Sequence, residues 1–244
     1  MRKVLLVSVA GLVAVAAPLA AKAPMAGGYA AAVASADRPA DDTARDADRK
    51  PAELMAFAGV RPGMKIAEMA PGGGYFTRLL SGAVGPKGYV YTIGGKANAA
   101  AQAWARGHGN VSNAVIKPGE DLAPEKVDLV WTTLNYHDFK NVKLDSGGDM
   151  AAAYNAAAFR ALKPGGTYLV VDHQAAPGAG VSETNTLHRI EDKAVIAEVE
   201  KTGFRLAGRS DLLRHAADDH TQKVFEGVVR GKTDQFVLKF VKPR

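Results

Sequence analysis

The chain has 244 residues, 47% of them hydrophobic and 23% charged, with a formal net charge of +6 and no cysteine. Without cysteine it forms neither structural disulfides nor thiolate metal sites. Arg2, Lys3 and Lys22 supply three of the six net positive charges and no Lys/Arg cluster follows, so composition gives no ground for nucleic-acid binding.

Met1-Arg2-Lys3 is a basic start, and residues 4–20 form an uncharged apolar run that passes into small residues. This is the pattern of a secretory signal peptide. We read it over residues 1–23, with the cut after Ala23 or as late as Ala36, and it predicts export into a bacterial periplasm. An uncleaved anchor is the alternative, since about 17 apolar residues are the lower limit for spanning a bilayer. No later stretch is long and apolar enough to cross one. Residues 24–50 read as a linker rich in Ala and Gly, followed from Asp37 to Lys50 by a solvated, densely charged arm or helix. The remainder, about 200 residues, suffices for one sizeable core, so 51–244 is read as a single domain.

Pro51 opens a short amphipathic helix carrying Leu54, Met55 and Phe57, and Arg61-Pro62-Gly63 is a turn. Strands and helices then alternate: a strand over Lys65–Met69, a helix over Tyr75–Val84, a strand over 89–93, a helix over 96–106 and a strand over 111–116. The nearly unbroken apolar run 127–134 is the pattern of a parallel strand buried on both faces. An Ala-rich helix over 150–162 stops at Lys163-Pro164-Gly165-Gly166, before a strand over 167–171 that ends at Asp172. A helix over 193–201 and strands over 204–213 and Gln235–Val241 complete the chain. This alternation predicts a doubly wound α/β fold, a mostly parallel seven-stranded sheet with helices on both faces. No helix separates the last two strands, so they are expected to pair antiparallel at one edge. Trp104 and Trp131 read as core aromatics.

The most informative stretch runs from Glu68 through Ala70-Pro71-Gly72-Gly73-Gly74-Tyr75 to Thr77, where the first strand enters three glycines and then a helix. Ligands of open parallel sheets bind beyond the carboxyl ends of the strands. Glycine there lets the chain turn sharply and a ligand rest against bare backbone. Amides at the helix start can donate to such a ligand, and Glu68 can accept from its amine or hydroxyl.

An acid followed by Gly-x-Gly and an aromatic at this junction resembles motif I of the class I S-adenosylmethionine-dependent methyltransferases, and Lys163-Pro164-Gly165-Gly166 resembles the turn before that family's fifth strand. Within the family, Pro71-Gly72-Gly73-Gly74, Asn135-Tyr136-His137-Asp138 and Arg230-Gly231-Lys232-Thr233-Asp234 resemble a bacterial group of exported predicted methyltransferases. The resemblance implies S-adenosylmethionine as cofactor. It assigns Glu68, Gly72, Gly74 and Thr77 to the methionine part and Asp121 to the neighbourhood of the adenine. Ala70, Pro71, Gly73, Tyr75 and Asn135 complete the implied cofactor set. Two positions depart from the pattern. Ala70 stands where the first glycine is usual, and Thr92-Ile93-Gly94-Gly95 has no acid at the end of the second strand, where the family binds the ribose hydroxyls.

The fourth strand ends in Asn135-Tyr136-His137-Asp138, a place that faces the transferring methyl group in this family. Orientation is the main demand of an in-line displacement, and a base matters only for a protonated acceptor. Asn135 is the candidate for orienting an acceptor, His137 for taking a proton near neutral pH, with Asp138 beside it. Asp172-His173 ends the fifth strand on the same edge, and His188-Arg189 lies either in the cleft or on the surface. Asp218-Asp219-His220-Thr221 has no dedicated metal spacing and reads as a hydrogen-bonded turn, so no metal site is expected.

The reading is therefore an S-adenosylmethionine-dependent methyltransferase of unknown acceptor, with a small-molecule ligand, no nucleic-acid partner and no membrane span after signal cleavage. A non-catalytic ligand-binding protein on a degenerate methyltransferase fold is the alternative, and a hydrolase using His137 and Asp138 is a third.

Overall fold

The computed structural model describes residues 26–96, 98–145 and 147–244. The expected signal peptide over 1–23 lies outside the described residues. Seven strands, β1 (Lys65–Met69), β2 (Tyr89–Gly94), β3 (Val111–Val115), β4 (Val127–Thr133), β5 (Leu162–His173), β6 (Arg205–Ser210) and β7 (Gln235–Val241), form one sheet in the order β3-β2-β1-β4-β5-β7-β6. The first five pair in parallel, and β7 lies between β5 and β6, antiparallel to both. The chain winds outward in one direction from β1 and in the other from β4, so the topological switch point falls between those two strands.

Alternation along the strands builds a core on each face. On β4, Leu129 and Trp131 face one layer and Val127 and Val130 the other, all fully buried. The first layer is covered by α4 (Pro51–Ala58), α5 (Tyr75–Val84) and α6 (Ala99–Gly107), the second by α7 (Tyr136–Asn141), α8 (Met150–Ala161) and α9 (Asp192–Lys201). Trp131 is wholly buried against Phe76, with ring centroids 5.0 Å apart, as expected. Trp104 is only half-buried and stacks on His108 at 3.7 Å. Lys163-Pro164-Gly165-Gly166 is not a free turn but the bulged start of β5. There Gly165 has φ +77°, and a Cβ on Gly166 would lie 2.9 Å from Leu162 Cδ2 and 3.2 Å from the Asp128 carbonyl.

The largest departure from the sequence reading is at residues 26–50, expected as a linker and a solvated arm or helix. They fold as α1 (Ala26–Val33), α2 (Ala40–Thr43) and α3 (Asp46–Arg49) against the domain. Tyr29 and Ala32 are buried against α5, Tyr29 donates its hydroxyl to the Val60 carbonyl, and Gly82 admits Ala32 so closely that a Cβ there would sit 3.2 Å from it. Two of the arm's charges are buried in pairs while others stay exposed: Arg38 and Asp42 are 6% and 3% exposed, and Arg38 grips both oxygens of Asp46 at 2.8 and 2.6 Å. Among the described residues no helix is long and apolar enough to cross a membrane.

Candidate functional site

At the switch point, the loops after β1, β2 and β4 enclose a cleft of about 520 Å³. Ala70, Pro71 and Gly72 form one wall, Gly94, Gly95, Lys96 and Asn98 the floor beyond β2, and Asn135, Asp138, Phe139, Val142, Met150 and Tyr154 the opposite wall. A larger groove of about 630 Å³ lies outside the helices between α1, α5 and α6, away from the strand ends. The cleft has the size and mixed lining of a small-molecule site and stands where this topology places ligands.

The β1–α5 bend is held by side chains from three directions. Asn135 Nδ2 donates to the Ala70 carbonyl at 3.1 Å and to the Thr133 carbonyl at 2.6 Å, Asn98 Nδ2 to the Gly72 carbonyl at 2.5 Å, and Arg78 Nη2 to the Gly73 carbonyl at 2.7 Å. Ala70 has φ +50° and Leu134, just before Asn135, has φ +58°. Left-handed backbone at non-glycine residues costs of order 1–3 kcal/mol and persists only where surroundings enforce it. These two strained residues flank the cleft on the ends of β1 and β4. Gly72 is also left-handed, at φ +55°, and a Cβ built on it meets nothing within 4 Å. Packing does not demand a glycine there, and Gly72 is exposed at the cleft.

Several residues implied to line the cofactor site lie elsewhere. Glu68 is 1% exposed and accepts a hydrogen bond from Thr77 Oγ1 at 2.5 Å, so this pair ties β1 to α5 beneath the bend. Burial pushes the Glu68 carboxyl up to about 7, against the opposing pull of Thr77 and Arg78. Tyr75 turns towards the N-terminal arm: its hydroxyl donates to Asp46 at 2.7 Å and its ring lies under Arg45 and Arg49 at 5.0 and 4.6 Å. Gly73 and Gly74 shape the bend but are not part of the cleft wall, and Gly74 has φ +78°. Asp121 stands away from the cleft. Its side chain is 82% exposed and lies 3.6 Å from Arg160 Nε, because the chain after β3 runs across the end of α8 instead of over the cleft. Of the implied set, Ala70, Pro71, Gly72 and Asn135 line the cleft, together with Asp138.

His137 is not in the cleft wall either. It is buried behind Asp138, with Nδ1 2.8 Å from Asp172 Oδ1 and its backbone N–H donating to Asp172 Oδ2 at 2.7 Å. Burial would lower the His137 pKa, but the charge and hydrogen bond of Asp172 raise it above the ordinary value. Burial would likewise raise Asp172, and His137 holds it below the carboxylate range. His173 bonds Thr233 Oγ1 at 2.7 Å, and desolvation drops its pKa to about 4, so it is neutral at pH 7. Asp218 and its neighbours form the hydrogen-bonded turn that was expected. Asp218 receives both arms of the buried Arg189 at 2.8 and 3.0 Å, and Asp219 caps Thr221.

Lys96, Asn98, Phe139, Val142, Met150 and Tyr154 line the cleft without having been singled out from sequence. Asn98 carried a local signal as the N-cap of α6, where its side chain accepts from the Ala101 amide. The others are ordinary loop or helix residues until the topology brings them to one place.

No family model and no curated protein matches the chain. Solved structures do. A SAM-dependent methyltransferase from Aquifex aeolicus superposes with a TM-score of 0.57 at 18% identity, over 78% of this chain and 88% of that one. Fibrillarin from Aeropyrum pernix, solved with natively bound S-adenosyl-L-methionine, gives 0.50 at 15% identity, over 78% and 73%. The cyclase SpnF gives 0.58 at 17% identity, over 81% of each chain. The fold is that of the class I methyltransferases. At these identities the likeness extends to the fold alone, and a cyclase among the neighbours shows that this scaffold carries more than one chemistry.

Proposed function

We propose that this chain is an S-adenosylmethionine-dependent methyltransferase acting on a small acceptor that enters from the Asp138 side of the cleft. The observation that carries the reading is the cleft itself. It lies at the switch point, with open backbone at Gly72 on one side and the aromatic and aliphatic side chains of Phe139, Val142, Met150 and Tyr154 on the other. A ligand with one polar, backbone-binding end and one flat apolar end fits that division. When bound, S-adenosylmethionine supplies an electrophilic methyl group. The chain's own task is to bind and orient: the bend from Ala70 to Gly72 receives the polar end, and Asn135, fixed by its two donated hydrogen bonds, sets the spacing between the β1 and β4 walls. Gly94 and Gly95 leave the β2 end without a carboxylate, so affinity rests on shape and backbone contacts. Export is part of the same proposal and rests on the basic start and apolar run at the N-terminus.

Calorimetric titration of the purified protein with S-adenosylmethionine and its demethylated product tests the binding step. A Kd in the micromolar range, about −8 kcal/mol, is expected. Gly72→Val, which fills the open space with a branched side chain and strains a left-handed backbone, should abolish it. Absence of heat at millimolar ligand would overturn the proposal.

A further inference from the structure

His137, Asp138 and His188 bring three donor atoms within 4.8 Å of one another at the rim of the cleft. Asp138 Oδ1 lies 3.4 Å from His137 Nε2 and 3.2 Å from His188 Nδ1. His137 is 1% exposed, and its Nε2 is buried with no hydrogen-bond partner among the described residues. A buried polar atom left unpaired is unfavourable and calls for an explanation. The other ring nitrogen is fixed by Asp172, which also accepts the His137 backbone amide. A carboxylate that holds one imidazole nitrogen and aims the other outward is the usual support of a metal-binding histidine.

We infer that His137 Nε2, Asp138 and His188 Nδ1 form a site for a divalent transition ion of the zinc class, with Asp172 as the positioning residue behind it. Donor atoms around tetrahedral zinc stand about 3.3 Å apart, from metal–ligand bonds of about 2.0–2.1 Å. Two edges of the triangle are already there, and the third, between the two imidazole nitrogens, is within 4.8 Å and would shorten on binding. Two imidazoles and one carboxylate favour zinc or a neighbouring transition ion over magnesium or calcium, which take oxygen donors. The backbone under His188 is built, not loose. It sits at φ +56°, and the next residue, Arg189, is wholly buried and bound to Asp218 and to the Gln174 carbonyl. Three protein ligands leave a coordination position open. Since Asp138 also lines the cleft, the ion would stand at its mouth, where an oxygen-bearing ligand can reach it. The metal assignment stands on donor chemistry alone; a role towards a methyl acceptor rests on the function proposed above.

The test uses no methyl donor, so its outcome is independent of that reading. Protein stripped with a chelator is titrated with Zn2+ against a chromophoric competitor, and separately with Co2+, whose visible spectrum reports ligation. One ion per chain is expected. His188→Ala and Asp138→Asn, both at accessible side chains, should weaken binding at least about 100-fold and erase the Co2+ spectrum, with circular dichroism unchanged. Asp172→Asn should weaken it about 10–100-fold, and His108→Ala, remote from the cleft, should leave it unaltered. Lack of stoichiometric uptake, or uptake indifferent to His188→Ala and Asp138→Asn, would overturn the assignment and leave the cluster an ion pair of His137 with Asp138.

Discussion

Glu68 gives the fold a pH dependence that can be measured without any ligand. The carboxyl is 1% exposed, and burial lifts its pKa from 4.5 to about 7 in the folded chain. Between those two values the folded state holds a proton that the unfolded state has released. Stability therefore falls as pH rises from about 4.5 to about 7 and levels off above. A shift of about 2.5 units at about 1.4 kcal/mol each amounts to roughly 3 kcal/mol. Glu68→Gln keeps an acceptor for Thr77 Oγ1 but cannot ionise. It should remove this loss, while its new amide donors, buried without partners, cost about 1–3 kcal/mol at every pH. The decisive quantity is thus the difference in unfolding free energy between Glu68→Gln and the parent, taken from urea titrations at intervals from pH 4.5 to 8.5. Taking the difference cancels other titrating groups, including Asp172 and Asp218, whose lowered pKa values add stability above the ordinary carboxylate range that is lost as pH falls through them. The difference should move in favour of Glu68→Gln by about 3 kcal/mol across the range. A difference that stays flat with pH would refute the argument that Glu68 is desolvated beneath the bend.

Three further outcomes follow from the same geometry. Gly94→Asp restores a carboxylate at the end of β2; its Cβ would meet only the Lys96 carbonyl at 3.6 Å, and a charge-assisted bond of about 1.5–3 kcal/mol should tighten S-adenosylmethionine binding at least about tenfold by calorimetry. No tightening would place the ribose elsewhere. Asn135→Ala removes two donors to backbone carbonyls and should lower stability by about 1–2 kcal/mol while weakening cofactor affinity, read by urea titration and calorimetry; unchanged affinity would free Asn135 from its role in holding the bend. A chain beginning at residue 37 loses α1 and with it Tyr29, at a cost of about 3 kcal/mol or more, so the proposed export would leave a start before Ala26 rather than after Ala36, which N-terminal sequencing reads.

The fold was legible because its signals are local and periodic. Continuous apolar runs marked β4 and β5 as doubly buried, and glycine and proline marked the junctions. The antiparallel pairing near one edge followed from the lack of an α-helical pattern between β6 and β7, although sequence order did not reveal that β7 lies between β5 and β6. The site was legible only where one segment carries it. The bend at Ala70 to Gly72 and the β4 end at Asn135 and Asp138 were visible as motifs. Asp121 stands away from the cleft because the path of a loop is set by what it packs on, here Arg160 on α8. His188 lies 50 residues from Asp138, so no spacing rule could have joined them. The arm misled for a different reason. Its charge density resembles a solvated segment, yet Arg38 is buried on Asp46 of the arm itself and Asp42 on Arg78 of the sheet domain.

That pairing makes the arm a component of the site. Asp42 accepts Arg78 Nε at 2.6 Å, and the same guanidinium donates to the Gly73 carbonyl at 2.7 Å. Arg78 is 8% exposed, so removing Asp42 would leave its guanidinium buried without that counter-ion, which costs about 3–5 kcal/mol. The glycine bend is therefore not a flexible loop awaiting a ligand. Its carbonyls are bound from α6, from the β4 end and, through Arg78, from the N-terminal arm. A bend fixed in this way has lost its conformational entropy during folding, so a ligand that fits it need not bear that cost on binding. This offsets part of what the missing β2 carboxylate takes away.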